Sequence, residues 1–308
     1  MSSVNQFRLP LAASVDDRDA ATRENPVALA AALSSPETRF VVLVGAEAIL
    51  LPSAGADRGS DAPRLALLTR DELPGEGDDF YLGRILESGR STHVALRVLT
   101  NSPATRYPLG NLRALAHLLP ARDAALLTQS LALANWHSRY RFSPSTGRAT
   151  VVDQGGWMRR DPDSGEQFFP RTDPAVIVLV RDRDDRILLG SNVLWEAGRY
   201  SLLAGFVEAG ESLEAAVLRE VAEESGLRVV EPTYRASQPW PFPRSLMLGF
   251  TARLADDETP TNAVPDGQEI VDLMWVSRDE VRADLPSLRL PGKSSIARAL
   301  IDEWLAEA

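Results

Sequence analysis

From Gly205 to Leu227 the chain reads GFVEAGESLEAAVLREVAEESGL, and this stretch decides how the C-terminal half folds. Ser212 suits a helix start and Gly226 a helix end, so the spacing predicts a helix over Leu213–Ser225. At about 100° per residue, Leu213, Ala216, Val217 and Val221 share one face. Glu220, Glu223 and Glu224 continue that apolar stripe in the last turns, whereas solvated carboxylates normally sit opposite it. Three carboxylates at i, i+3 and i+4 repel one another by roughly a few tenths of a kcal/mol per pair. Partial burial raises that cost unless a cation compensates. A hard divalent ion with oxygen ligands fits best, Mg²⁺ being the usual partner of phosphate substrates. Arg219, one position before the cluster, is placed to pair with Glu211 or Glu223 and orient it. The plain alternative is a surface helix with a charged face.

Working outward, AVIVLV from Ala175, the turn RDRDD and RILLGS predict a hairpin, and SLLAGFVE leads into the helix. After it, SLMLGFTARL and LMWVS read as strands and SSIARALIDEWLAEA as a closing helix, which makes residues 171–308 an α+β domain. Upstream, RFVVLVGAEAILLP from Arg39 reads as a hairpin. LALLTRDEL follows a Gly/Ser/Asp/Pro-rich loop, and DFYLGRILE and HVALRVL continue the strand pattern. NLRALAHLLP and ARDAALLTQSLALANWHSRY carry helical spacing and are separated by Pro120. Residues 1–140 therefore read as a smaller α+β domain without a catalytic constellation. The Gly-, Pro- and Ser-rich 141–170 reads as an irregular connector.

The segment from Gly205 matches every specified position of the Nudix box, G-x5-E-x7-R-E-U-x-E-E-x-G-U with U aliphatic. The matching residues are Gly205, Glu211, Arg219, Glu220, Val221, Glu223, Glu224, Gly226 and Leu227. Chance agreement at its seven fixed residues is on the order of one in a billion per start site. The chain thus resembles the Nudix hydrolases. That resemblance implies an α/β/α sandwich at the C-terminus, with a loop–helix–loop that holds Mg²⁺ or Mn²⁺ against a nucleoside diphosphate linked to another moiety. It implies metal ligation by Glu220, Glu223 and Glu224, with Glu224 or Glu223 positioning or deprotonating the attacking water.

A second stretch, SQPWPFPRSLM from Ser237 to Met247, is similar to the SQPWPFPxS signature of the NADH diphosphatase subfamily. Taken bare, three prolines in five residues predict a rigid extended loop with Gln238, Trp240 and Ser245 exposed to a ligand. The alternative is a stiff crossover with Trp240 and Phe242 packed in the core. The resemblance implies substrate contacts over Gln238, Pro239, Trp240, Pro241, Phe242, Pro243, Arg244 and Ser245. By the same resemblance Glu269 in EIVDLMW is an additional metal ligand and Ala204 offers its backbone carbonyl to metal. Phe206 and Phe169, the latter chosen over Phe168, stack a base. Ala297 lies near the substrate, and Arg113 contacts a phosphate or is simply a solvated helix arginine.

Most relatives of that subfamily carry a four-cysteine zinc ribbon between the domains, and this chain has no cysteine at all. Aligning the flanks WHSRYRF, GGWMRRDPDSG and FFPRTDPAV puts Ser143, Thr146, Asp161 and Ser164 where the thiolates stand. Hydroxyls are poor zinc ligands, so the expectation is a zinc-free ribbon held by turn hydrogen bonds and Trp157 packing. His137 is expected to pack beside Trp136.

The activity implied is metal-dependent hydrolysis of NAD(H) to AMP and NMN(H). Alternatives are decapping of NAD-capped RNA by the same chemistry, cleavage of ADP-ribose or a similar compound, and a silent NAD-binding regulator. The formal charge of −10 argues against a dedicated nucleic-acid binder but leaves a capped RNA 5′ end admissible. The start lacks a signal-peptide pattern and no apolar run has membrane-spanning length, so the cytoplasm and no membrane partner are expected. The resemblance also implies a homodimer.

Overall fold

A computed structural model describes residues 9–13, 17–52, 62–101, 107–283 and 286–307. The chain divides into two compact units. One is Pro10–Thr172 together with Trp240–Arg244, and the other is built on Asp173–Pro239 and 245–307, with Leu9 in its core.

In the first unit Asn25 accepts hydrogen bonds from the N–H groups of Val27 and Ala28, with Pro26 at the first helical position. This cap separates helices α1 (Ala20–Glu24) and α2 (Pro26–Ser34), in a stretch where the sequence reading had placed no helix. Strands β1 (Arg39–Val44) and β2 (Glu47–Ile49) form the expected hairpin. They join β3 (Gly77–Glu87), β4 (Arg90–Leu99) and β5 (Leu109–Asn111) in the order β3-β4-β1-β2-β5, with β1 parallel to β4. The segment from Leu65, expected to extend the strand pattern, makes only the single bridges Leu50–Leu65 and Phe40–Leu68 before a 3₁₀ turn at Arg70–Glu72. The loop before it falls over 53–61, outside the described residues. Helix α3 (Leu112–Leu115) is a single turn, and α4 (Ala121–Arg139) begins directly after Pro120. Side-chain alternation on β1 assigns Val41 and Leu43 to the core shared with α4, and Phe40 and Val42 to the opposite face.

The stretch expected to be an irregular connector contains a small sheet in the order β6-β7-β8, from Val151–Asp153, Met158–Arg160 and Gln167–Phe168. It belongs to the first unit and does not stand apart. Trp157 is its anchor: the indole Nε1 donates to the Tyr81 carbonyl at 2.7 Å, and the guanidinium of Arg23 lies 4.5 Å from the ring centre. His137 is buried in contact with Trp136, as expected. It stacks on Phe80 at 4.0 Å and its Nε2 meets the Gly156 carbonyl at 2.8 Å.

In the second unit a mixed sheet runs β12-β13-β9-β10-β14. Its strands are β9 (Asp173–Arg181), β10 (Ile187–Asn192), β12 (Val229–Trp240), β13 (Ser245–Leu254) and β14 (Ile270–Val276), and β11 (Leu203–Phe206) also pairs with β9. The hairpin expected from Ala175 exists only at its turn. Ile187 faces Arg181, after which β9 takes β11 as its antiparallel neighbour and β13 as its parallel one. β12 was not anticipated because Pro232 and Pro239 break the strand pattern. It lies at the sheet edge, where proline is tolerated. Val176, Val178 and Val180 face the core shared with α5 (Leu213–Ser225). Ile177 and Leu179 face the core shared with α7 (Ile296–Ala306), which follows the short α6 (Arg278–Arg282). Helices therefore cover both faces of the sheet. No helix among the described residues is long and apolar enough to cross a membrane.

Candidate active site

Helix α5 begins where Ser212 accepts the N–H of Ala215 and ends at Gly226, whose φ of 69° closes the last turn. Its buried face, Ala216, Val217 and Val221, fixes the rotation of the helix and carries Glu224 inward with it. Glu224 is only 6% exposed. Glu220 is half-buried, and its carboxyl lies so close to β11 that a Cβ on Gly205 would fall 2.0 Å from it. Any side chain at 205 would therefore push the Glu220 carboxyl out of its place. Glu223, expected on the same side, instead sits at the rim with 60% of its side chain exposed.

Arg219 binds this constellation together. Its Nε and Nη2 grip Glu211 at 2.8 Å each, Nη1 reaches Glu220 at 2.8 Å and Glu223 at 2.9 Å, and Nη2 also donates to the Phe206 carbonyl at 2.9 Å. The paired grip holds the Glu211 carboxyl down at about 2, helped by the N–H of Glu208. Glu224 is in the opposite situation. Burial pushes its carboxyl up to about 8, and the charges of Glu220, Glu269 and Asp266 add to that, against one hydrogen bond from the Ala204 N–H. Burial also raises Glu220, with Glu223 and Glu269 adding and Arg219 opposing.

One oxygen of Glu224, Oε2, is buried without a hydrogen-bond partner. A buried, unpartnered carboxylate oxygen beside other carboxylates that repel it is what a bound cation would relieve. The residues present therefore fit a hard divalent ion. Among the described residues no three carboxylates stand ready around one point, because Arg219 draws Glu220 and Glu223 to itself. Glu269 is exposed just before β14, and its charge reaches Glu220 and Glu224. Asp266 was missed at the sequence level. Its carboxylate accepts the N–H groups of Gln268, Glu269 and Ile270, shaping the loop that carries Glu269. The only sequence signal was an aspartate opening the turn DGQE.

Of the residues assigned to substrate, Phe206 ends β11 with 58% exposure, and Ala297 is buried in the first turn of α7. Gln238 departs from expectation. It is fully buried, its Nε2 donating to the Ser294 carbonyl at 3.0 Å and its Oε1 accepting the Ile296 N–H at 2.8 Å. The amide fastens the start of α7 to the sheet and is not offered to a ligand. Pro239 is exposed, and Ser245 opens β13 opposite Asp173. In the first unit Phe169 is 58% exposed, while Trp240 and Phe242 are partly buried against the core, and Pro241 is buried. Pro243 is exposed and Arg244 half-buried. Arg113 does not simply point into solvent. Its guanidinium lies 4.6 Å from the Phe242 ring centre and 5.4 Å from that of Trp240.

The NUDIX domain family matches residues 171–299. The "NAD-capped RNA hydrolase NudC" of Mycobacterium tuberculosis is 40% identical over 90% of this chain and 86% of its own length. The chain belongs to the Nudix family. A human relative, "NAD-capped RNA hydrolase NUDT12", is 37% identical over 61% of this chain and 43% of that protein. A Nudix hydrolase structure from Nitrosomonas europaea aligns over 54% of this chain and 91% of its own, with a TM-score of 0.44 and 19% identity.

The two segments of this Nudix protein that were expected to stand in for zinc knuckles, at Ser143 and at Asp161, lie in matching turns. In each, the first residue's N–H reaches the carbonyl five positions on: Ser143 to Arg148 at 2.8 Å, Asp161 to Glu166 at 2.9 Å. In each, a glycine with positive φ, Gly147 at 71° or Gly165 at 75°, returns its N–H to that first residue. Ser143 Oγ accepts the N–H groups of Ser145 and Thr146, as Asp161 Oδ1 accepts those of Asp163 and Ser164. Thr146 Oγ1 then donates to Asp161 Oδ2 at 2.5 Å and joins the two turns. The buried Asp161 carboxyl is held below the usual carboxylate range, chiefly by that hydroxyl and then by the Asp163 N–H.

Proposed function

We propose that this Nudix hydrolase splits the pyrophosphate of NAD(H) into AMP and NMN(H) with Mg²⁺ or Mn²⁺. The observation that carries the reading is Glu224. It is a buried carboxyl with one orphaned oxygen and a pKa pushed up to about 8, set beside an arginine-held row of carboxylates. The choice of substrate is supported by the SQPWPFPRS stretch and by the names of the relatives. Glu220, Glu223, Glu224, Glu269 and the Ala204 carbonyl are the groups that would hold the ion. When bound, it neutralises the pyrophosphate and lowers the pKa of a bound water.

Arg219 keeps Glu211, Glu220 and Glu223 in register and leaves Glu224 unbridled. Glu224, or Glu223 at the rim, takes the proton of the attacking water as its oxygen bonds to phosphorus and the bridging P–O bond breaks. Phe206 and Phe169 offer exposed rings for base stacking. The same chemistry on a capped RNA releases NMN and leaves a 5′-monophosphate. The relatives' names favour that second substrate, and the charge of −10 asks only that the footprint be confined to the cap. The protein is further proposed to act as a homodimer without zinc.

The test is turnover on NADH, NAD⁺, ADP-ribose and NAD-capped RNA with products identified. AMP and NMN(H), abolished by chelator and restored by Mg²⁺ or Mn²⁺, are expected. Equal rates on ADP-ribose would overturn the dinucleotide assignment, and metal-independent turnover would overturn the site.

A further inference from the structure

The turn that joins β12 to β13, Trp240–Arg244, belongs to the first compact unit while both its strands belong to the second. Its sequence leaves it little means of holding itself. Pro241 and Pro243 have no N–H to donate, so the turn presents carbonyls that need outside partners. Asn135, in the last turns of α4, supplies both. Its Nδ2 donates to the Pro241 carbonyl at 2.9 Å and to the Pro243 carbonyl at 3.1 Å. The two aromatic rings of the turn, Trp240 and Phe242, meet edge to face at 5.0 Å, and Arg113 lies over both. One amide thus fixes the backbone of the turn, and one guanidinium fixes its rings.

We propose that Asn135 is a positioning residue for substrate selectivity. By pinning Pro241 and Pro243 it holds Trp240 and Phe242 in the arrangement that separates a dinucleotide from a smaller nucleoside diphosphate. This rests on the reading of the turn as part of the NAD(H) site. The hydrogen bonds of Asn135 run to the Pro241 and Pro243 carbonyls and to the Ser138 hydroxyl, none of them a metal-site group, so its effect falls on substrate affinity and not on the chemical step.

The experiment compares Asn135→Asp and Asn135→Ala with the parent on NADH and on ADP-ribose, measuring kcat and KM separately. Asp removes the donor and turns oxygen toward two carbonyls with almost no change of shape, and Ala, a good helix former, guards against misfolding. Loss of both hydrogen bonds should raise KM for NADH by about tenfold with kcat within about twofold. KM for ADP-ribose should stay within about twofold of the parent. Parental KM for NADH in both folded variants would overturn the inference alone. A parent that does not prefer NADH over ADP-ribose would overturn the NAD(H) reading first and the inference with it.

Discussion

Replacing Glu224 by glutamine should make the metal-free protein more stable while destroying turnover. The folded carboxyl titrates at about 8 against an ordinary value of 4.5. A carboxyl raised in the folded state favours the protonated form. Its contribution to stability is therefore fully present below about 4.5 and is lost as pH rises through about 8. The loss amounts to roughly 3 kcal/mol at pH 7 and roughly 5 kcal/mol above pH 8. Glutamine escapes it and still accepts the Ala204 N–H. Its amide nitrogen takes the place of the partnerless Oε2, however, and a buried unmet donor costs about 1–3 kcal/mol. The net gain for Glu224→Gln is roughly 2 kcal/mol at pH 8.5, a rise in Tm of about 4–8 °C, shrinking to nothing near pH 5. Thermal melts in chelator at pH 5, 7 and 8.5 read this directly. Turnover with Mg²⁺ should fall by about 10²-fold or more. A variant no more stable than the parent at pH 8.5, or a difference that ignores pH, would refute the account of Glu224 as a strained, cation-seeking group.

Other outcomes follow from the same contacts. Arg219→Lys leaves one ammonium to do the work of a five-bond fork, so metal affinity or activity should drop about 10- to 100-fold, read by metal titration. An unchanged titration curve would show that Arg219 does not organise the carboxylates. Gln238→Ala strips the Ser294 carbonyl and Ile296 N–H of buried partners and should destabilise the second unit by about 2–3 kcal/mol in urea. A rise in KM without loss of stability would return Gln238 to the substrate site. Asp161→Ala removes the acceptor that joins the two turns and should speed proteolysis within 141–170. Parental protein treated with chelator should show no such change, and stoichiometric zinc on purified protein would contradict this.

The Nudix box was legible because its parts answer one another locally. Ser212 and Gly226 mark the ends of α5, the apolar stripe sets its rotation, and Arg219 finds Glu211, Glu220 and Glu223 within a span of thirteen residues from 211 to 223. Gln238 was misread because its environment is made by residues 56 and 58 positions away, and composition reports nothing of that distance. Asn135 was invisible for the same reason, its carbonyl partners lying more than a hundred residues downstream. The strand β12 was hidden by prolines that only an edge position excuses. The helices before β1 were different: Asn25-Pro26 followed by an Ala-rich run is a helix start, and that signal was available.

The paired turns at Ser143 and Asp161 have a consequence for how the protein can be handled and where it can work. Zinc-thiolate knuckles tie the folding of a domain to the supply of an ion and expose sulfur to peroxide. Here hydroxyl, carboxylate and backbone N–H groups close the turns, so the zinc-free ribbon proposed above offers no thiolate to oxidise and ties its folding to no ion. Withdrawing divalent metal should then act as a reversible brake on hydrolysis alone, stopping and restarting a single sample without unmaking any of its architecture.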